Sequence, residues 1–290
     1  MLRFLAARAT PGVETVESGC YRRSISINDS HGYFEVSLDE ANHALVARVQ
    51  FGDPRSLFFI TERIRSMFDL NADWAAIAQT LKADPVLATQ IKSEPGLRVP
   101  GCWNGFELAV RAILGQQVSV KGASTLAGRL AKTFGEPFAA TGGLTHIFPT
   151  PQALADANFA GIGLPGARAE TIRGLARAVC NGQINFEGVV DSSEFLKRFC
   201  EIPGIGEWTA QYVAMRALRE PDAFPSTDLG LLRALNLANA RELERRSEAW
   251  RPWRAYAAMH IWNMKGEELS RAKAVVSRSS SRDVQMLVPA

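Results

Sequence analysis

FCEIPGIGEWTAQYVAMRALREPDAFPSTDLGLLRAL, residues 199–235, decides how the rest of the chain is read. It reads as the end of a helix, a glycine hairpin at Pro203-Gly204-Ile205-Gly206, a second helix and then an aspartate. The helix leading in opens with Asp191 and Glu194 in capping-box spacing, with Ser192 or Ser193 as alternative caps, and carries Phe195, Leu196 and Phe199 inward. Pro203 stops it. Gly204 and Gly206 flank Ile205, so the backbone is free to turn left-handed and nothing bulky shields the amides that start the next helix. Unpaired N–H groups of that kind suit an anion. Because the hairpin has no side-chain charge of its own, it suits a phosphate whose identity does not matter, as on a nucleic-acid backbone. Taken alone, the four residues read more readily as a plain helix–helix connection.

The continuation adds more. Trp208, Tyr212 and Met215 or Arg216 recur at i, i+4 and i+7 or i+8, so two aromatics share one helix face. Pro221 and Pro225 break the helix, and Pro225-Ser226-Thr227-Asp228 opens a new amphipathic run through Leu231, Leu232 and Leu235. This spacing places Asp228 in a helix's first turn, where the dipole and free amides favour negative charge. By itself such an aspartate is an ordinary helix-start residue.

With 290 residues, 47% of them hydrophobic, the chain has material for one large domain or two ordinary ones with a real core. A formal net charge of +3 does not by itself indicate nucleic-acid binding, so that case must come from local features. Cys20, Cys102, Cys180 and Cys200 are scattered without CxxC spacing, which points to free thiols in a reducing cytosol and away from a four-cysteine iron–sulfur cluster. His31, His43, His146 and His260 are equally dispersed, against a side-chain metal site. No stretch approaches the apolar length of a membrane helix, so a cytoplasmic protein is expected.

Along the chain, residues 2–9 form a short apolar helix, and Tyr21 to Ile27, Gly32 to Leu38 and Ala44 to Phe51 alternate as strands between turn residues. From Leu57 the period becomes helical, through Ile60, Ile64, Met67 and Phe68. This is an antiparallel sheet backed by helices, an α+β scaffold. Residues 73–92 read as one or two helices, and Ser93 to Gly101 as a linker. Asn104 and Glu107 have capping-box spacing before a helix ended by Gly115; Gln116 and Gln117 occupy the turn before the next helix, Val120 to Phe134. Pro149 to Leu164 reads as a helix pair with loops. The following helix aligns Arg168, Arg173 and Arg177, a solvated face or, at Arg168, a phosphate contact. Arg241 to Trp250 is a charged helix, and Pro252 takes the first position of the last helix, whose aromatics are mostly core.

In combination these features resemble the helix-hairpin-helix DNA glycosylases, and most closely the bacterial 3-methyladenine DNA glycosylase II family, the AlkA type. PGIGEWTAQY (203–212), the helix at Asp228, RVPGCWNGFELAVRAILGQQVSV (98–120), EAWRPWRAYAAMHIW (248–262) and MLRFLAARATPGVETVESGCYRRS (1–24) are similar to its segments in order and spacing, so the resemblance runs to about Gly266. The expected organisation is an α+β domain over residues 1–96, a mostly α-helical helix-hairpin-helix glycosylase region over 97–266, and a polar tail, 267–290, expected to be disordered. The family places an extra strand ahead of the first helix, so the sheet is expected to lack one strand, the chain being shortened there or once joined to something upstream.

What the resemblance implies is a monofunctional DNA glycosylase of base excision repair. It would flip alkylated, cationic bases such as 3-methyladenine and 7-methylguanine out of double-stranded DNA and excise them, leaving an abasic site. Asp228 would be the catalytic carboxylate, stabilising an oxocarbenium-like sugar or aligning the attacking water. Trp262, singled out by the resemblance alone, would form with Trp208, Tyr212 and Phe4 an electron-rich pocket worth roughly 0.5–2 kcal/mol per cation–π contact. Gly204, Ile205 and Gly206 would grip the backbone, joined by Arg168 and by the turn at Gln116 and Gln117. Gln117 stands where the family often has a leucine wedge; a glutamine fills less of the gap but hydrogen-bonds base edges. Bifunctional relatives place a Schiff-base lysine where Trp208 stands, so no strand cleavage is expected. The family's hairpin holds a monovalent cation, Na⁺ or K⁺, through carbonyls that correspond to Cys200, Ile202 and Ile205. No cofactor is expected for catalysis, and a monomer is expected. Two other readings compete: a non-catalytic helix-hairpin-helix module, which would leave Asp228 idle, and a glycosylase for oxidised or mismatched bases, which would call for the lysine or the cysteine cluster.

Overall fold

In the computed structural model, which describes residues 1–188, 190–264 and 272, the chain begins with α1 (Leu2–Arg8), β1 (Glu14–Glu17), β2 (Cys20–Ile27), β3 (Ser30–Asp39) and β4 (Ala44–Phe51). Helices follow: α2 (Leu57–Met67), α3 (Trp74–Leu81), α4 (Pro85–Ser93), α5 (Gly105–Leu114), α6 (Val120–Phe134), α7 (Pro151–Ala155), α8 (Gly166–Cys180) and α9 (Ser192–Cys200). The last are α10 (Glu207–Val213), α11 (Leu229–Leu235), α12 (Ala240–Ser247) and α13 (Arg254–Asn263). The chain divides into two compact units, Met1–Phe68 with Cys102–Gly206, and Asp69–Gly101 with Glu207–Ala290. The units therefore do not follow a single boundary near residue 96. Each is assembled from two separate stretches, because contacts and not chain order define compactness.

The first unit holds an antiparallel sheet of order β1-β2-β3-β4. Three of its strands follow from apolar alternation. The sequence reading missed β1, whose four residues, ETVE, contain one apolar side chain and so no pattern. What makes it a strand is the turn: Ser18 and Gly19 both take positive φ, 50° and 76°, the pairing of conformations that closes a two-residue hairpin. Tyr21, Ile25, Phe34 and Val36 line the inner face and pack with Ile60, Ile64 and Met67 of α2 and with Trp103. Arg23 falls between Tyr21 and Ile25 on that same face and is only 3% exposed. Its guanidinium meets Glu107 at 2.5 Å and Glu14 at 3.3 Å. The capping box of α5 is thus only half formed: Asn104 accepts the Glu107 N–H at 3.0 Å, but the Glu107 side chain goes to Arg23.

Further along the first unit, the expected helix pair between Pro149 and Leu164 is the single short α7, and turns with left-handed Gly161 and Gly163 complete the segment. At α9 the choice among caps falls to Asp191, which accepts the Ser193 and Glu194 N–H groups at 2.9 and 3.0 Å. Glu194 instead pairs with Arg198 one turn on.

In the second unit α3 and α4 are each capped by an aspartate, Asp73 and Asp84. Asp84 also receives Arg246 and the Trp250 indole, locking α4 to the segment around Trp250, which is 1% exposed. The charged helix expected from Arg241 to Trp250 ends at Ser247 and tightens to a 3₁₀ turn over Glu248–Trp250. Pro252 is not the first residue of the last helix. It lies in a turn, joined to Arg251 by a cis peptide, and α13 begins at Arg254. The tail expected to be disordered lies outside the described residues apart from Ala272. No described helix is long and apolar enough to cross a membrane.

His260 of α13 is 1% exposed, stands 5.7 Å from the Trp74 ring, and neither ring nitrogen has a hydrogen-bond partner among the described residues. Burial pushes its pKa down to about 4. Since the folded state binds this proton less readily than the unfolded chain, the neutral ring's contribution is complete above the ordinary value and is lost as pH falls toward 4. The full loss is about 3 kcal/mol at 1.36 kcal/mol per unit. His260→Leu removes the titrating group, so its urea midpoint is expected to fall less than that of the wild type between pH 7 and pH 4.

Candidate active site

Asp228 lies in the second unit as the N-cap of α11, one residue ahead of the first turn where the sequence pattern puts it. Pro225 and Ser226, both buried, lead in through a turn that the Asp228 N–H closes by donating to the Pro225 carbonyl at 2.9 Å. One carboxylate oxygen, Oδ1, accepts the Leu231 N–H at 2.8 Å, which is the capping bond. The same oxygen accepts the Trp262 indole N–H at 3.0 Å, and Oδ2 accepts the Trp208 indole N–H at 2.6 Å. Three donors from α10, α11 and α13 thus fix a half-buried carboxylate in place, and it accepts in every one of these bonds.

Trp208 and Trp262 are therefore brought to the carboxylate as hydrogen-bond donors, a role no helical periodicity announces. Tyr212 joins them by stacking on Trp208, with ring centroids 5.2 Å apart and planes 8° from parallel. That stack covers one face of each ring, leaving fewer aromatic faces for a ligand than four independent rings would offer. All four of Trp208, Tyr212, Asp228 and Trp262 remain partly accessible. Phe4 belongs to the first unit, where it packs on the sheet core with the Arg8 guanidinium 3.9 Å from its ring centre.

The hairpin, also in the first unit, is held by its carbonyls. Gly204 takes φ +91°, as the two flanking glycines suggest for one of them; Gly206 does not. Thr171 of α8 donates its hydroxyl to the Pro203 carbonyl at 2.9 Å, and the Gln116 amide donates to the Gly204 carbonyl at 3.0 Å. Gln116 is thus turned toward the hairpin, while its neighbour Gln117 is exposed at the turn with φ +57°. Ile205 is buried, so the hairpin presents backbone and not an apolar tip. Of the three arginines on α8, Arg173 pairs with Glu170 and Arg177 with Asp156; Arg168 has no ion pair among the described residues. Of the carbonyls expected to hold a cation, that of Ile202 already accepts the Ile205 N–H at 3.0 Å, which uses one of its two lone pairs.

The chain matches two family descriptions in succession: an AlkA N-terminal domain over residues 1–104 and an HhH-GPD superfamily base excision DNA repair protein over residues 110–254. A probable bifunctional transcriptional activator/DNA repair enzyme AlkA of Mycobacterium tuberculosis is 41% identical over 263 residues, which cover 89% of this chain and 53% of that protein. The chain thus spans about half the length of that relative. DNA-3-methyladenine glycosylase 2 of Escherichia coli is 35% identical over 270 residues, with 92% of this chain and 93% of the relative covered. Among solved structures, a 3-methyladenine DNA glycosylase from Archaeoglobus fulgidus shares the fold with a TM-score of 0.78 at 22% identity, covering 90% of this chain and 92% of its own.

Proposed function

Since the chain belongs to the HhH-GPD superfamily of base excision DNA repair proteins, we propose that it is a monofunctional DNA glycosylase that removes alkylated, cationic purines from duplex DNA and leaves an abasic site. The observation that carries this is the carboxylate of Asp228, held by two indole N–H groups and its own helix and still partly open to a ligand. As the bond between base and sugar breaks, positive charge grows on the sugar, and a fixed carboxylate stabilises it without having to reorganise. A base such as 3-methyladenine already carries positive charge and leaves without being protonated, so one carboxylate suffices. The exposed faces of Trp208 and Trp262 would stack such a base, and stacking tolerates several base shapes.

Trp208 also argues against a lyase. Its nitrogen is an indole N–H committed to Asp228, and it cannot form a Schiff base. In the proposed complex the main-chain amides of Gly204 and Gly206 grip the DNA backbone, while the Ile205 N–H stays with the Ile202 carbonyl and its side chain anchors the hairpin, with Arg168 as a further phosphate contact and Gln117 entering the duplex as the wedge. The carbonyls of Cys200, Ile202 and Ile205 would hold a monovalent cation, which an uncharged oxygen set of that kind suits, and which would add positive charge beside the phosphate. The four cysteines, none of them joined in a disulfide among the described residues, agree with a cytoplasmic protein, and it is proposed to act as a monomer.

The test is incubation with methylated duplex DNA followed by chromatography of the released bases. Free 3-methyladenine and 7-methylguanine are expected, with no nicked strand and no borohydride-trapped protein–DNA adduct. Release of a single base type would refute the breadth of the pocket, and no release would refute the enzyme.

The hairpin gives a separate prediction. A Cβ on Gly204 would come 2.0 Å from the Thr171 hydroxyl, in a backbone conformation that L side chains rarely adopt. Gly204→Ala is expected to cost more than about 1 kcal/mol of stability and to weaken duplex binding roughly tenfold as the amides lose their alignment. Thermal melts and fluorescence-anisotropy titration check the two parts; wild-type affinity in a folded variant would remove the hairpin from the interface.

A further inference from the structure

Arg216 is a buried cation with a defined task and no part in the chemistry just described. It sits in a π-helical turn, Ala214–Leu218, that continues α10 and ends at left-handed Arg219. Such turns re-aim side chains and recur at functional sites. The side chain is 6% exposed. Its Nε donates to the Pro100 carbonyl at 2.7 Å and one terminal nitrogen to the Gly101 carbonyl at 3.1 Å. The other terminal nitrogen donates to the Tyr212 hydroxyl at 2.6 Å, with the guanidinium carbon 5.3 Å from that ring's centre. Pro100 and Gly101, which the sequence presents as linker, are therefore the anchor that fixes the guanidinium plane.

We propose that Arg216 is a positioning residue for the catalytic carboxylate, acting through Tyr212 and Trp208. The planar fork held by two successive carbonyls leaves its third arm pointing one way, and that arm fixes the phenol hydroxyl. With the phenol fixed, its parallel stack on Trp208 sets the plane of the indole, and the plane of the indole sets the direction of the N–H aimed at Asp228 Oδ2. Tyr212 then works behind Trp208 as a buttress. A lysine at 216 could not serve, because an ammonium cannot hold two carbonyls and a hydroxyl in one plane. The effect falls on the transition state: a carboxylate misplaced by a fraction of an ångström still admits DNA but stabilises the sugar cation less well.

This rests on the glycosylase reading, and the experiment separates the two. Single-turnover base release and duplex affinity are measured for wild type, Tyr212→Phe, Arg216→Lys and the double variant, with thermal melts to confirm folding. Tyr212→Phe removes one oxygen and keeps the ring, so it is expected to fold and to release base roughly tenfold more slowly, with affinity within about twofold. Arg216→Lys is expected to be slower still, and the double variant no slower than Arg216→Lys alone, since both changes cut one chain of contacts. If Tyr212→Phe releases base at the wild-type rate, or if the two effects simply multiply, Arg216 does not act through Tyr212 and the proposal is overturned. Should Arg216→Lys not fold, the Tyr212→Phe rate alone decides. A wild type that releases no base would instead overturn the underlying function.

Discussion

Asp228→Asn is expected to lower the rate of base release by about 10²–10³-fold while leaving affinity for duplex DNA within about twofold. Asparagine is nearly the same size and is as good a helix cap, so the bond to the Leu231 N–H survives and α11 should keep its start. What changes is charge and polarity. The amide oxygen can keep Leu231 and Trp262, but the amide NH₂ then faces the Trp208 indole N–H across 2.6 Å, donor against donor. Trp208 must retreat, and no negative charge remains to meet the sugar cation. Rate and affinity measured separately distinguish the competing possibilities. A non-catalytic binding module would show no dependence on Asp228, and an unchanged rate in a chain that does release base would move the chemistry elsewhere.

The largest expected effect on stability lies in the first unit. Arg23→Met should cost about 3–5 kcal/mol, because it leaves Glu14 and Glu107 buried without their shared cation. Burial pushes the Glu107 carboxyl above the usual range, with Arg23 pulling against it. Burial pushes Glu14 up as well, but Arg23 and Arg111, with hydrogen bonds from Tyr21 and the Thr10 N–H, hold it below that range. With the arginine gone, Glu107 has lost its counter-charge in an apolar setting and would take up a proton instead of remaining ionised. Adding Glu107→Gln to Arg23→Met is therefore expected to recover part of the loss. Urea unfolding of the wild type, the single variant and the double variant measures this. A mild loss for Arg23→Met, comparable with an exposed substitution, would mean the network is solvated and not buried.

Much of the architecture could be read from local pattern. Apolar alternation marks β2, β3 and β4, interrupted at Arg23, and β1 escaped because four residues with a single apolar side chain carry no period. Caps were legible where a short polar side chain precedes an apolar run, as at Asn104 and Asp191. The capping-box partner was not: the backbone rewards Glu107 and Glu194 at that spacing, but a buried arginine and an exposed one claimed their carboxylates. The helix start at Pro252 failed for a related reason, since proline fits a helix's first turn and a tight turn alike.

For the candidate site, the sequence by itself determined which residue types were present and that they recur in an order matching one family: a glycine hairpin, two aromatics four apart, a helix-start aspartate and a late tryptophan. Hairpin conformation, helix phase and capping are set by neighbours within a few residues, so they leave marks in the sequence. Tertiary structure alone decided what the side chains do with one another. Two indoles separated from Asp228 by 20 and 34 positions donate to its two oxygens, and Arg216 reaches back 116 positions to the Pro100 carbonyl. Such bonds depend on how helices pack, and no period or spacing encodes a partner that distant.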